Sequence, residues 1–355
     1  MQSFVDLERT YDGQPARIGV LLQRIDVGHG REDLYRDQAP QLLVSLAENA
    51  RIESIRASNA IEGVEVPTQR AARLTKPPQP QFRNRNEREF AGYRDAIDYI
   101  VRLNSWDYPS VGLALHLHRQ LFRHTGGRGG YLKEEDNEIA DRDEEGRRRT
   151  VFRTVSHQQT PFYLQELMAR YKDASENEVA HPLVLLAAFA VDFLAIHPTL
   201  DGNGRIARLL TAHELLRLEY GVASYISIEQ RIYETKNSYY TALYESQRAW
   251  HEAEHSIWPW AEYLLTVLTE AYDDFEAKVA AAGEGKSKQE RVRQQVLSDG
   301  PGRFTFRELT AALPGVSDPT VRLVLNELRD EGALRTDGRG AGAVWIREQH
   351  ESAGA

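Results

Sequence analysis

Twelve consecutive residues, His197-Pro198-Thr199-Leu200-Asp201-Gly202-Asn203-Gly204-Arg205-Ile206-Ala207-Arg208, concentrate side chains that can do chemistry. His197 supplies an imidazole, which with an ordinary pKa of about 6.5 can accept a hydroxyl proton near neutral pH. Asp201 offers a hard carboxylate oxygen suited to magnesium, an ion that takes one or two carboxylates and completes its shell with phosphate oxygens and water. Gly202 and Gly204, with Asn203 between them, remove side chains where a backbone must approach a ligand closely. Arg205 and Arg208 are three apart, neighbours on a helix, and can contact successive phosphate oxygens. A base, a metal ligand, an anion-binding loop and two guanidinium groups are the parts of a phosphoryl- or nucleotidyl-transfer site. The plainer alternative is an interhelical loop with a capping Asp and surface arginines. It accounts for each residue singly but not for the set.

Such a site needs elements to hold it. The apolar run Leu183 to Ile196, interrupted by Asp192, reads as a buried helix ending at His197, and it is too short to cross a bilayer. A new amphipathic helix starts near Gly204, so its first N–H groups and partial positive charge face the phosphates. Helical spacing also marks Gln41 to Glu62, closed by Gly63, and further segments: from Asn84, Ser110 to His124, Phe162 to Lys172, Gly204 to Tyr220, Glu229 to Arg248, and Trp258 to Ala282. Lys76-Pro77-Pro78-Gln79-Pro80 reads as a linker. Asp141 to Gly146 reads as a solvated turn, and the β-branched Thr150 to Val155 predicts a hairpin.

Ala280 to Lys288 is small, charged and linker-like. Beyond it, Gln289 to Leu297 predicts a helix, and Thr305-Phe306-Arg307-Glu308 a capping box opening a second. Ser317-Asp318-Pro319 starts a third, and Ala333 to Thr336 with Ala343 to Ile346 suit a two-stranded wing. The expected architecture is mainly α, in three parts: an N-terminal helical region (1–82), a catalytic helical core with a small β-hairpin flap (83–282), and a C-terminal winged-helix domain (286–350). In the last, Thr320, Arg322 and Asn326 would face a DNA major groove, and Arg339 a phosphate. Dimerisation is the alternative use of such a module.

With 355 residues, 41% hydrophobic and 27% charged, the chain has the composition of an ordinary globular protein. It has no cysteine, which excludes disulfides and thiolate metal sites. The net charge of −9 argues against wholesale nucleic-acid binding, while the C-terminal stretch is slightly basic and permits a local module. No signal peptide and no membrane span are read from the sequence, and a cytoplasmic location is expected.

The stretch 197–208 resembles the signature of the Fic family, HPFx(D/E)GNGRxxR, matching eight of its nine specified positions. The resemblance implies a protein adenylyltransferase that moves AMP from ATP, with Mg2+, onto a Ser, Thr or Tyr hydroxyl of a target protein. It implies His197 as base, Asp201 as metal ligand, Gly202, Asn203 and Gly204 as anion cradle, and Arg205 and Arg208 on the β- and γ-phosphates. Thr199 departs from the family's Phe, which anchors the loop in the core. The family's inhibitory pattern (S/T)xxxE(G/N) is met by Ser58 to Gly63, so Ser58 and Glu62 would sit on one helical face and Glu62 would draw Arg208 from the γ-phosphate. Such inhibition can act within one chain or between two, which leaves a homodimer open. Tyr239, beside Tyr240, and Gln247 fall where related proteins close the adenine pocket, although packing in the core explains them equally well. Val155, Ser156 and His157 resemble the flap that docks a target segment as an added strand.

Two other patterns are rejected. His251-Glu252-Ala253-Glu254-His255 fits HExxH, but its flanks do not extend a long apolar helix and no third zinc ligand presents itself. Ala280 to Ser287 loosely fits a phosphate loop but follows a helix, not a buried strand. Removal of AMP by the same site, and a transcriptional regulator with a nucleotide-sensing domain, are the competing functional readings.

Overall fold

The computed structural model describes every residue except 1, 7–9, 12, 33, 36–39, 77–80, 104–106, 143–146, 285–287, 300–301, 314, 339–342 and 349–355, and only the backbone of 141, 142, 148, 281–284, 298 and 299. The prolines of the first expected linker, the hairpin turn, residues 285–287 of the second linker and Arg339 therefore lie outside the described residues, while 280–284, also expected as linker, continue the helix from Trp258. Two units emerge: Met1–Arg36 with Pro40–Glu276, and Asp37–Ala39 with Ala277–Ala355. The first unit takes in both the N-terminal region and the helical core.

From the start of the chain the order is α1 (Ala16–His29), α2 (Pro40–Ile61), α3 (Thr68–Leu74), α4 (Arg85–Val101), α5 (Val111–Phe122), β1 (Glu138–Arg142), β2 (Arg148–Arg153), α6 (Thr160–Glu176), α7 (Pro182–Ile196), α8 (Asn203–Arg217), α9 (Val222–Tyr225), α10 (Ile228–Glu234), α11 (Lys236–Gln247) and α12 (Trp258–Glu284), of which 277–284 fall in the second unit. Helix α7 is the axis of the core. All its residues from Leu183 to Ile196 are buried, which is why its apolar run shows no polar face. Asp192 belongs there because its carboxylate accepts from Ser3 N (3.1 Å), Ser3 Oγ (2.8 Å) and Trp250 Nε1 (2.6 Å).

Helix α2 packs on α4, α8, α9 and α10. Arg51 makes a two-pronged contact with Asp98 on α4 (2.6 and 2.7 Å), and Ser54 Oγ meets Ser227 Oγ at 2.9 Å. These bonds lay the segment that ends at Glu62 across the face of α8. The helix stops at Ile61, and Gly63 takes a left-handed φ of +77°, so Val64 N can close back on Asn59 O. At the crossing of α4 and α5, Gly92 lets the two backbones touch. A Cβ there would lie 2.1 Å from Leu121 O.

Two expectations need correcting. The helix expected over 229–248 is two, α10 and α11, broken at Thr235, whose hydroxyl donates to Arg231 O and meets Tyr263 Oη at 2.8 Å. The hairpin pairs Glu138 with Arg153 and Ile139 with Phe152 and ends at Arg153, so Val155 to His157 lie beyond the strand, in the connection to α6.

In the second unit, α13 (Lys288–Gln294) continues as a π-helical turn, followed by β3 (Arg303–Thr305), α14 (Phe306–Ala311), α15 (Asp318–Asp330), β4 (Leu334–Asp337) and β5 (Val344–Arg347). The capping box at Thr305 and Glu308 is present in both directions. Val321, Val324, Leu325 and Leu328 of α15 close a core with Val292, Phe304 and Leu309. The sheet is antiparallel in the order β3-β5-β4, one strand more than the expected pair.

Candidate functional site

Helix α7 ends abruptly because His197 adopts a left-handed conformation, φ 53° and ψ 62°. The chain turns and presents the imidazole to the space above the start of α8. His197 Nδ1 lies 3.2 Å from Leu194 O. A carbonyl can only accept, so Nδ1 carries the proton of the neutral ring and Nε2 keeps its lone pair. Burial pushes the imidazole down to about 4, against a smaller opposing pull from its bond to Leu194, so the ring is a neutral base across the physiological range.

The loop from 198 to 204 is held by polar bonds. Thr199 is buried, and its hydroxyl lies 2.8 Å from Asp201 O and 2.9 Å from Asn203 Oδ1. Asn203 returns its Nδ2 to Thr199 O at 2.6 Å and accepts from Thr199 N at 2.9 Å. Asn203 is thus a brace across the turn, and Thr199 anchors the loop by hydrogen bonds where an aromatic ring would do so by packing. Gly202, at φ +82°, is the N-cap of α8, a conformation that favours glycine.

Arg205 and Arg208 leave the first turn of α8 in different directions. Arg205 is 2% exposed, its Nη1 donates to Glu89 Oε2 at 2.8 Å, and its guanidinium lies over the Phe122 ring. Its Nε has no partner. Arg208 points to α2. It donates to Ser58 Oγ (2.8 Å), Ser58 O (3.0 Å) and Glu62 Oε1 (2.8 Å), and reaches Tyr239 Oη at 3.3 Å. Burial raises the Glu62 carboxyl, but the Arg208 guanidinium outweighs it and holds the group below the usual carboxylate range. The Glu62 carboxylate also covers the start of α8: a Cβ on Gly204 would meet Glu62 Oε1 at 2.3 Å. An anion from the chain itself therefore sits where helix geometry invites one.

Asp201 is exposed and borders a surface cavity of about 480 Å3 lined also by His118, Phe122, Arg128 and Tyr131. Among the described residues no group of three or more His, Asp or Glu side chains could hold a metal ion. A single open carboxylate next to an anion-binding helix start fits magnesium shared with phosphate oxygens, not a closed protein cage.

Tyr239 is brought to the site, but as a buried neighbour of Arg208, edge-on to Trp260 and Tyr263, so its face is not open to a base. The adjacent Tyr240 is the exposed ring, with its hydroxyl 3.4 Å from Ile61 O. Gln247 is buried with Nε2 unpartnered. Of the expected flap residues, Val155 is buried with its N–H on Ala195 O, Ser156 Oγ meets Gln159, and His157 pairs with Asp136 at 2.7 Å. His251 and His255 do not converge: one stacks on Phe152 and meets Arg153 O, the other meets Ser3 Oγ.

Residues 108–215 match the model of the Fic/DOC family. The chain carries a Fic domain. A curated relative, the protein adenylyltransferase Fic of Nematostella vectensis, is 28% identical over 207 residues, covering 56% of this chain and 44% of its own length. The chain thus spans less than half of that relative. A Fic family protein from Desulfovibrio desulfuricans shares the fold at 23% identity and a TM-score of 0.61, over 94% of this chain and 96% of the other. A Fic domain containing signaling protein from Bacteroides thetaiotaomicron does so at 19% identity and 0.59, over 77% and 98%.

Within the Fic domain the sequence reading missed Lys133. It is buried, and its ammonium donates to Asn137 Oδ1 (2.9 Å), Thr154 Oγ1 (2.9 Å) and Ile196 O (3.0 Å). Burial pushes the amine down to about 8. Glu89, which holds Arg205, was also missed and lies outside the matched residues. Both sit among charges that resemble a solvated surface, and nothing local in the sequence marks them as buried.

No helix among the described residues is long and apolar enough to cross a membrane.

Proposed function

We propose that this chain transfers AMP from ATP to a hydroxyl side chain of a target protein, and that Glu62 holds the reaction back. The observation that carries the reading is the pairing of Glu62 with Arg208 directly over Gly204, beside an imidazole whose Nε2 is free to accept a proton. His197 Nε2 takes the proton of the acceptor hydroxyl, the oxygen attacks the α-phosphorus, the bond from the α-phosphorus to its bridging oxygen breaks, and pyrophosphate leaves. The N–H groups at the start of α8 receive phosphate oxygens. Asp201 would hold magnesium, which when bound supplies positive charge to the phosphates. The name of the Nematostella relative supports an adenylyl transfer.

Arg208 lies within its own chain's reach of Glu62, so the inhibition we infer is intramolecular. Arg205 gives Nη1 to Glu89 and has Nη2 3.7 Å from Asp201 Oδ1, so in this reading it fixes α8 on α4 and still has N–H groups to offer a phosphate.

Incubation with ATP labelled at the α- or the γ-phosphate tests the reading. Label from the α position on protein, lost in His197→Ala, supports it. Label from the γ position would make the enzyme a kinase and overturn it.

For the second unit we propose a nucleic-acid-binding winged helix. Arg322 and Asn326 are exposed on α15 with Thr320 half-buried beside them, and Arg322 is held over the Phe306 ring at 4.1 Å. A salt-dependent shift of duplex DNA by the full chain, lost in Arg322→Ala, is the expected result.

A further inference from the structure

Where α7 stops, its last carbonyls lose their helical partners. Four main-chain oxygens around His197 find new ones in the two segments at the root of the hairpin. Ala195 O accepts from Val155 N (3.3 Å), and Ile196 O from Lys133 Nζ (3.0 Å). Pro198 O accepts from Lys133 N (2.9 Å), and Thr199 O from Asn137 Nδ2 (2.9 Å). The root is closed on itself as well: Thr154 Oγ1 accepts from Lys133 and lies 2.8 Å from Asn137 O. Lys133 is the centre of this arrangement because it bonds the loop through both its backbone and its side chain.

We propose that Lys133 is a positioning residue that locks the hairpin to the main chain on either side of His197, so that the aim of the imidazole depends on the seat of the hairpin. The chemistry of the side chain supports this. An ammonium has three protons, and here each has an acceptor: one in the hairpin root's amide, one in its hydroxyl, one in the catalytic turn. Lys133 is 3% exposed, so a side chain without these protons takes the donor from Ile196 O and cuts the Asn137–Thr154 pair from the turn. Asp136, paired with His157, is the carboxylate that favours its charge, and Lys133 in turn disfavours a proton on His197. The activity readout rests on the proposed adenylyl transfer, while the position of the imidazole can be read without it.

The test compares Lys133→Met and Lys133→Arg in the full chain, each on a Glu62→Gly background. Three quantities are measured: ATP dissociation constant by calorimetry, transfer of α-label onto the protein itself, and the ring-nitrogen NMR signals of His197. Lys133→Met should keep ATP binding within about twofold and lose about 100-fold in transfer, the scale of a misplacement near 1 Å. The Nδ1–H signal should shift as its bond to Leu194 O loosens, and Lys133→Arg should restore much of both. Equal transfer and an unchanged imidazole signal in Lys133→Met would overturn the proposal, as would parallel loss of ATP binding, which marks general damage. If Glu62→Gly itself transfers no label, it is the adenylyl-transfer reading that fails, and the imidazole signal alone decides the role of Lys133. Should Lys133→Met not fold, Asn137→Ala removes the bond from Asn137 to Thr199 O and the amide acceptor of Lys133, leaving Lys133 its bonds to Thr154 and Ile196. A shifted imidazole signal there supports the lock, and an unshifted one sinks it.

Discussion

Glu62 Oε1, just past the end of α2, stands 2.8 Å from Arg208 Nη2, while Ser58, one turn earlier within α2, takes the Nε of the same guanidinium at 2.8 Å. Two residues four apart therefore grip one arginine. Removing the carboxylate leaves the Ser58 bonds in place but frees the start of α8. Glu62→Gly should raise α-label transfer by about 5–150-fold, the usual range of an energetic coupling between sites. Transfer at the parent rate would remove Glu62 from the inhibitory role.

The acidic limb of the reaction should lie far below that of an ordinary histidine. Burial pushes His197 down to about 4. Its ring stays neutral from pH 8 to 5, so transfer by Glu62→Gly should persist at pH 5.5. For stability the sign follows from proton uptake: the unfolded chain binds this proton below about 6.5 and the folded chain only near 4. The contribution is present above about pH 6.5 and is lost as pH falls toward 4. An NMR titration of His197 with a midpoint near 6.5 would contradict both statements.

Thr199→Val keeps shape but removes the hydroxyl that serves Asp201 O and Asn203 Oδ1. Losing this hydroxyl's bond should destabilise by about 0.5–1.5 kcal/mol, since Asn203 Oδ1 keeps the Thr199 N–H. Urea unfolding should show a loss of that size, with transfer reduced further because Asp201 is the residue being placed. An unchanged midpoint would mean that the hydroxyl does not anchor the loop.

Gly92→Ala puts a methyl 2.1 Å from Leu121 O and 2.8 Å from Gln120 O, both main-chain atoms that cannot swing aside. Forced separation of α4 from α5 should destabilise the fold by about 1–3 kcal/mol or more. Because α4 also carries Glu89, nucleotide affinity should fall with it. Calorimetric melting and ATP titration of the same variant check the pair.

The site was legible where its meaning is local. The run from His197 to Arg208 states its own order of imidazole, carboxylate, glycines and cations, and the spacing of Ser58 and Glu62 states that they share a face. The left-handed C-cap at Gly63 and the capping box at Thr305 were legible for the same reason. What was not legible depends on long-range partners. Arg205 reads as a phosphate ligand, and only the structure shows that one of its N–H groups goes to Glu89 on another helix. Tyr239 reads as a stacking ring until Trp260 and Tyr263 close around it. Lys133 reads as one charge in an acidic stretch, because periodicity cannot show that one of its partners is a carbonyl some sixty residues away. The break at Thr235 escaped because apolar spacing continues through it.

The backbone at His197 has a consequence for how this protein tolerates change. An L-residue with a Cβ held at φ 53° and ψ 62° gives up about 1–2 kcal/mol relative to glycine in the same place. If His197 is the base we propose, stability and chemistry compete for position 197: the fold would prefer glycine, and proton transfer asks for an imidazole. Random drift that abandoned the reaction would therefore find His197→Gly an easy and even stabilising step, whereas His197→Ala would keep the strain and lose the function.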